Sequence, residues 1–374
     1  MLILVLKDSL RTFQVLVLVL ALGGQVLVLV LVLGGQVIVL VLVLGGQVLV
    51  LVLGGQVLVL VLGGQVLVSI PDRNTRNCFT SLRELFLFVG ELQYTSDPVL
   101  IQTIKTRGST ERKQLINGLT ILEKELFVLS DVEVEIFDSV KLSFSRRWNL
   151  KELIRPMDIG ACNRNKWLYV YDLKGNCDSK EILRVDPNGK LINNWSTGID
   201  YARGLSVTDE SNVILTIYKQ NKLNEYSPDG LLIRQINLSS YAGISHPWHA
   251  IKLKNGHFVV THGSFDDDLH TVCILNADGK LMKSFRKELG TAIVQMRHPV
   301  YLSFDENGFM MVADQGNRRL LLLDSDLEFK KEVLSEEKHG LRHPRGIVLD
   351  ESNGRLLVVD NELNNSRILV FDFK

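Results

Sequence analysis

One phrase recurs through the last two-thirds of this chain and limits what it can fold into. It reads His298-Pro299-Val300-Tyr301-Leu302-Ser303-Phe304-Asp305, then Asn307-Gly308, an apolar run ending in Asp314, and Gly316-Asn317-Arg318. It returns as His343-Pro344-Arg345-Gly346-Ile347-Val348-Leu349-Asp350, then Asn353-Gly354, an apolar run ending in Asp360, and Arg367 after a longer loop. A unit of roughly 40–50 residues with only short apolar runs cannot bury a core alone, so copies must pack against one another in an array or a ring.

Aligned on the residue that opens the first strand, the units start at Pro156, Ala202, Pro247, Pro299 and Pro344, at spacings of 46, 45, 52 and 45 residues. Each holds four short apolar runs. After Pro247 these cover 248–253, 258–261, 271–276 and 281–285, with hairpin signals at Asn255-Gly256 and Asp278-Gly279. Four antiparallel strands per unit make a propeller blade. An earlier blade is expected from 118–122, 125–129, 133–137 and 141–144. That gives six units, the last with three strands. Residues 99–104 have strand character and are expected to complete it, joining the two ends of the ring. The expected class is all-β, a six-bladed propeller over residues 97–374.

Composition limits the partners. The chain has 42 basic and 42 acidic side chains, and residues 97–374 have 37 and 38. A neutral chain has no global pull toward nucleic acid or an anionic membrane. Cys78, Cys162, Cys177 and Cys273 form no C-x-x-C pair and no zinc-finger spacing. They read as reduced thiols of a cytoplasmic protein.

Residues 1–68 are a different kind of sequence. Gly-Gly-Gln recurs from Gly23, Gly34, Gly45, Gly54 and Gly63, separated by strict Val/Leu alternation, at spacings of 11, 11, 9 and 9. Three readings compete. Strands joined by Gly-Gly-Gln turns suit the β-branched valines, although two apolar faces leave the register unpinned. Residues 15–68 could instead associate with a membrane and anchor the protein there. The segment could also be unselected low-complexity sequence. Residues 69–96 read as a linker with a short helix at 81–92.

The stretch 298–324 resembles an NHL repeat: a Pro-led strand, Asp, Asn-Gly, a strand ending in Asp, Gly-Asn-Arg, and a further strand ending in Asp. The sixth unit matches well, the second to fourth diverge, and the first is weakest. Residues 97–374 thus resemble the NHL or TolB-like six-bladed propeller at the C-terminus of tripartite-motif proteins and of invertebrate relatives. The resemblance implies a module that binds proteins or, in some members, RNA. It implies no ligase activity, because the RING that carries that chemistry has no counterpart here.

Candidate residues divide into structural and ligand-facing sets. His246, His298 and His343 each precede the opening residue of a strand, and recurrence at one blade position points to turn chemistry around Pro299 and Pro344. Asp314 with Arg318, and Asp360 with Arg367, read as braces between strands or blades. The run Asp266-Asp267-Asp268 reads as a solvated acidic loop, with cation contact as the alternative. The two positions after each strand opening differ between units: Met157, Arg203, Trp248, Val300 and Arg345, then Asp158, Gly204, His249, Tyr301 and Gly346. Arginines and aromatics anchor protein interfaces and stack on bases. Arg203, Trp248, His249, Tyr301 and Arg345 are therefore the expected ligand-facing set. The expected function is a non-enzymatic scaffold for a protein partner, with RNA disfavoured by the neutral charge and no catalytic residue, metal or cofactor assigned. The alternative is a calcium- or zinc-dependent hydrolase or lyase on the same architecture, for which Asp158, Asn163 and His249 lie on or beside the inner strands.

Overall fold

In the computed structural model the chain divides into two compact units, Met1–Leu85 and Phe86–Lys374. In the first, the described residues are seven strands: Leu2–Lys7, Gln14–Leu22, Gln25–Leu33, Val37–Leu44, Gln47–Leu53, Val57–Leu62 and Gln65–Ser69. In the second, they are 97–106, 115–131, 133–173, 180–199, 201–238, 244–264, 269–285, 295–362 and 365–372. The short helix expected at 81–92 and the acidic run at 266–268 lie outside them.

The seven strands of the first unit pair in sequence order as one antiparallel sheet. Its register sets like against like, with Val17 facing Val30 and Leu16 facing Leu31. The Val/Leu repeat therefore runs as strands, the conformation its β-branched half favours. No helix among the described residues is long and apolar enough to cross a membrane.

The second unit is a six-bladed β-propeller. Six four-stranded sheets follow one another, and each innermost strand touches the next around the ring. Those strands are Ile116–Leu122, Pro156–Cys162, Ala202–Val207, Pro247–Lys252, Pro299–Phe304 and Pro344–Asp350, in blades 1 to 6. The second strand of each blade is buried on both faces, as at Val213–Ile217, Phe258–His262 and Met310–Asp314, because neighbouring blades cover it from either side. That is why these strands read as continuous apolar runs while an outer strand such as Leu191–Ser196 alternates. Between blades 5 and 6, for example, Phe309, Met311 and Leu320 pack with Ile347, Leu356 and Phe371.

Blade 6 takes its outer strand from the start of the propeller. Val99–Ile104 lies antiparallel to Asn365–Asp372, with Ile104 facing Ile368 and Val99 facing Asp372. Side chains reinforce the closure. Arg355 donates to the Ser139 and Val140 carbonyls of blade 1 at 2.9 and 2.8 Å, and Gln102 donates to the Leu142 carbonyl at 3.0 Å. Related bonds join blades 1 to 4, where Arg146, Arg184 and Arg234 donate to the carbonyls of Pro187, Pro228 and Ala277 in the next blade. The outer strand of blade 1 starts at Ser143, later than the apolar run suggests. The Asp138 carboxylate accepts from the Val140 and Lys141 amides, and Leu142 has φ 54°, so these residues form the turn.

In blades 2, 5 and 6 the aspartate at or near the end of the second strand anchors the loop entering the innermost strand. Asp172, Asp314 and Asp360, all fully buried, accept from the amides of Ile154 and Arg155, of Arg297, and of Arg342 and His343 respectively. Asp360 also pairs with Arg367 at 2.8 Å. The expected partner of Asp314, Arg318, does not meet it. Arg318 ends a 3-10 turn in the left-handed region, and its guanidinium goes to Glu336. Arg319 opens the following strand directly opposite Asp314 and pairs with it at 2.8 Å. Cross-strand position decides the pairing, and Asp360 opposite Arg367 has the same relation.

Candidate binding site at the channel mouth

Each innermost strand carries an irregularity at the same place. In blades 2 to 5 the register shifts between the opening residue and the residue two beyond it, and in blade 6 between Pro344 and Ile347. In blade 1 Ser130 faces Ile116 while Leu129 faces Gly118. One residue per blade is thus left without a cross-strand partner: Asn117, Met157, Arg203, Trp248 and Val300, with Arg345 in the longer step of blade 6. A β-bulge bends its strand and re-aims the extra side chain. The six bulges lie at one level of the ring; Met157 and Val300 pack into the cores between blades, while Arg203, Trp248 and Arg345 are only half-buried. Blades 3 and 6 stand opposite in a six-membered ring, and across it the charge of Arg203 acts on Arg345.

An aromatic strip borders Arg203. Its guanidinium lies 5.1 Å from the Trp248 ring centre and 5.4 Å from that of Tyr218. Tyr218 packs on His246 at 4.8 Å and on Trp248 at 5.1 Å, and Trp248 meets His298 edge-on at 4.6 Å. The Trp248 indole donates to the Gly263 carbonyl at 3.2 Å, which fixes the ring. His246 and His298 hold φ of 49° and 58°, so the residue before the proline turns the chain into its strand. The His298 amide donates to His270 Nδ1 at 2.7 Å, and its ring bonds Gln315 at 3.0 Å. Burial pulls the His298 imidazole down to about 4, and the Gln315 bond opposes this. Lys219 caps the half-exposed ring of Tyr201 at 3.4 Å.

Below the bulges the next layer reads Gly118, Asp158, Gly204, His249, Tyr301 and Gly346 around the ring. Three large side chains occupy it because the glycines leave room. A methyl on Gly118 would sit 2.6 Å from Asp158 Oδ1, and one on Gly204 would sit 2.6 Å from the Trp248 carbonyl and 2.8 Å from His249 Cδ2. His249 stacks on Tyr301 at 3.9 Å with 19° between planes. Neither His249 ring nitrogen has a hydrogen-bond partner, although the Leu205 carbonyl lies close enough to favour protonation slightly. Burial dominates and pulls this imidazole down to about 3. Asp158 is buried and accepts from the Leu205 and Ile159 amides at 2.8 and 2.9 Å. Burial still pushes its carboxyl up to about 7, against those two bonds and the charge of Arg345. Tyr301 stands on the blade opposite Asp158. Burial first, and then the Asp158 charge, hold its phenol well above the ordinary value.

The two arginines are half-buried. Burial lowers the basicity of both. For Arg345 the charge of Arg203 adds to this, while Asp158 and Asp131 oppose it. Among the described residues neither guanidinium has a salt bridge, and Arg203 Nε is buried without a hydrogen-bond partner.

Beneath this layer the channel widens into a cavity of ≈ 490 Å³, roofed by His249 and Tyr301 and lined lower down by Asn163, Lys166, Glu123, Glu306 and Glu351. Burial, then the nearby charges of Glu306 and Asp305, push the Glu351 carboxyl up to about 7. Among the described residues no three His, Cys, Asp or Glu side chains converge as a metal-binding group. Asp158 and His249 lie in the upper layer and Asn163 in the lower cavity.

The structure therefore brings Arg203, Trp248, His249, Tyr301 and Arg345 around one end of one channel. Sequence reading missed Asn117, whose amide donates to the Pro156 carbonyl at 2.8 Å, and Tyr218, which opens the turn directly after the second strand of blade 3. Aligning Ile116 with the strand-opening prolines would have found Asn117. No signal in the sequence marks Tyr218.

Fold and site together define an all-β, six-bladed propeller with a lined central channel. Within it, residues 341–371, which make up most of blade 6, match the NHL repeat family. A search of curated proteins finds no sequence match. Among solved structures, hydrazine synthase from Kuenenia stuttgartiensis superposes with TM-score 0.50 at 11% identity, over 71% of this chain and 97% of the other. Virginiamycin B lyase from Staphylococcus aureus gives 0.48 at 11% identity, over 72% and 87%. A nidogen/laminin complex gives 0.49 at 12% identity, over 67% and 96%. At such identities the hydrazine synthase match speaks of the fold alone.

Proposed function

We propose that this protein is a non-enzymatic binding scaffold whose propeller presents the channel mouth to a segment of a partner protein. The observation that supports this reading is the ring of bulged residues. Arg203, Trp248 and Arg345 occupy it beside Tyr218 and His298, on innermost strands of blades 3, 4 and 6 that are packed into the ring. Aromatics and arginines contribute most at protein interfaces, and a rigid site loses little entropy on binding. The neutral overall charge gives no general pull toward a run of phosphates, and RNA is the second reading. The test is selection of displayed peptides on the wild-type protein, with the Arg203→Glu/Arg345→Glu double variant as counter-target. Peptides that bind wild type and lose the double variant support the assignment. Peptides that bind both equally would show that the mouth is not the surface.

A further inference from the structure

The feature of this molecule that its own residues leave unanswered is the pair of arginines. Arg203 and Arg345 sit at the bulges of opposite blades, near enough for the charge of one to act on the other, and neither has a carboxylate within salt-bridge distance among the described residues. The carboxylates that reach Arg345 are Asp158, which is committed to the Leu205 and Ile159 amides, and Asp131, which accepts from Leu115 and Asn117. Arg203 is flanked by the rings of Tyr218 and Trp248, and the charge of Arg155 also acts on it. Like charges held this way in a partly dry site raise the free energy of the unliganded state. A single anion placed between them would relieve it, with up to two bidentate sets of donors.

We infer that the channel mouth is a carboxylate-binding site, in which Arg203 and Arg345 clamp one compact anionic group while Trp248 and Tyr218 receive the apolar group attached to it. The inference rests on the binding reading above and names the chemistry recognised. Three features favour one carboxylate over a polyanion. Two arginines act on each other there, too few cations to neutralise a run of phosphates. Lower in the channel, where Lys166 pairs with Glu123, the carboxylates of Glu306 and Glu351 disfavour a second negative charge from below. The molecule as a whole carries no net charge to attract a phosphate chain. The carboxylate could be a peptide C-terminus, an acidic side chain or a free small acid.

The test uses the full chain with benzoate, its neutral isostere benzamide, and inorganic phosphate, read as saturable thermal stabilisation and by calorimetric titration. Benzoate is expected to bind where benzamide does not, and Arg203→Gln or Arg345→Gln should weaken it by at least about tenfold. Circular dichroism and melting of each variant separate loss of binding from loss of fold. Arg203→Gln, on the more open side, serves if Arg345→Gln fails to fold. Equal binding of benzamide, phosphate binding without benzoate binding, or benzoate binding that survives in every folded variant would overturn the inference. A second arm takes mouth-binding peptides from the display selection and compares free with amidated C-termini, and Asp or Glu with Asn or Gln. Loss on amidation assigns the C-terminus, and loss on side-chain replacement assigns the acidic residue. Peptides indifferent to both leave the binding-scaffold reading in place and sink the carboxylate. Benzoate binding with no peptide recovered does the reverse.

Discussion

His249 shows what a single side chain costs in this channel. Its imidazole is dry, stacked on Tyr301 and without a hydrogen-bond partner, so it stays neutral in the folded protein down to about pH 3, and His298 does so down to about 4. In the unfolded chain both take up protons below about 6.5. Their folded values are depressed, so the stability they confer is present above about pH 6.5 and is lost as pH falls toward 4 and 3. His249→Phe keeps the stacking surface and removes one of the two protons. Between pH 7 and 4 the variant should lose less stability than wild type, by an amount on the order of a few kcal/mol. Melting temperatures measured across that range decide it, and parallel curves for the two proteins would refute the account. Asp158 acts with the opposite sign: its folded value is raised to about 7, so its contribution falls as pH rises toward and through 7. At this scale the sequence showed where the repeated phrase departs from itself, at Arg203, Trp248, His249, Tyr301 and Arg345. It could not show the bulge, because one extra residue in an apolar strand changes no pattern. Without the bulge, nothing says which of two adjacent positions faces the mouth and which lies in the layer beneath.

Strands and turns were more legible than side-chain partners. Hairpin dipeptides mark the turns, and Gly189, Gly230, Gly256, Gly279, Gly308 and Gly354 all have positive φ there. The pairing of Asp314 was misassigned by one residue, and the reason lies in the element. Gln315–Asn317 is a 3-10 turn that leaves Arg318 outside and brings Arg319 back opposite Asp314, and two neighbouring arginines give sequence reading no means to choose. The difference has a measurable size. Arg319 is 8% exposed and Asp314 fully buried, so Arg319→Ala leaves a carboxylate without its cation and should cost about 3 kcal/mol or more. Arg318 pairs with Glu336 at 44% and 39% exposure, so Arg318→Ala should cost about 1 kcal/mol at most. Denaturant unfolding of both variants tests the assignment, and the reverse ranking would place the brace back on Arg318.

For the whole propeller the decisive contact is between its ends. The closing strand was legible because the sixth unit is one strand short and residues 99–104 have the right character. The cross-blade bonds of Arg355 and Gln102 were not, since nothing local marks a side chain that reaches the far end of the sequence. Removing residues 1–104 should leave Asn365–Asp372 with an open edge. Compared with a protein beginning at Asp97, the shorter one should melt lower and self-associate. Identical melting and an unchanged sedimentation coefficient would mean that blade 6 holds with three strands. Because Val99 faces Asp372, the first propeller strand to leave the ribosome waits for the last. No nascent chain that lacks residues 365–372 can close the circle, so the propeller finishes folding only once that strand has been made. Until then, the strand 99–104 is an unpaired apolar edge for chaperones to shield.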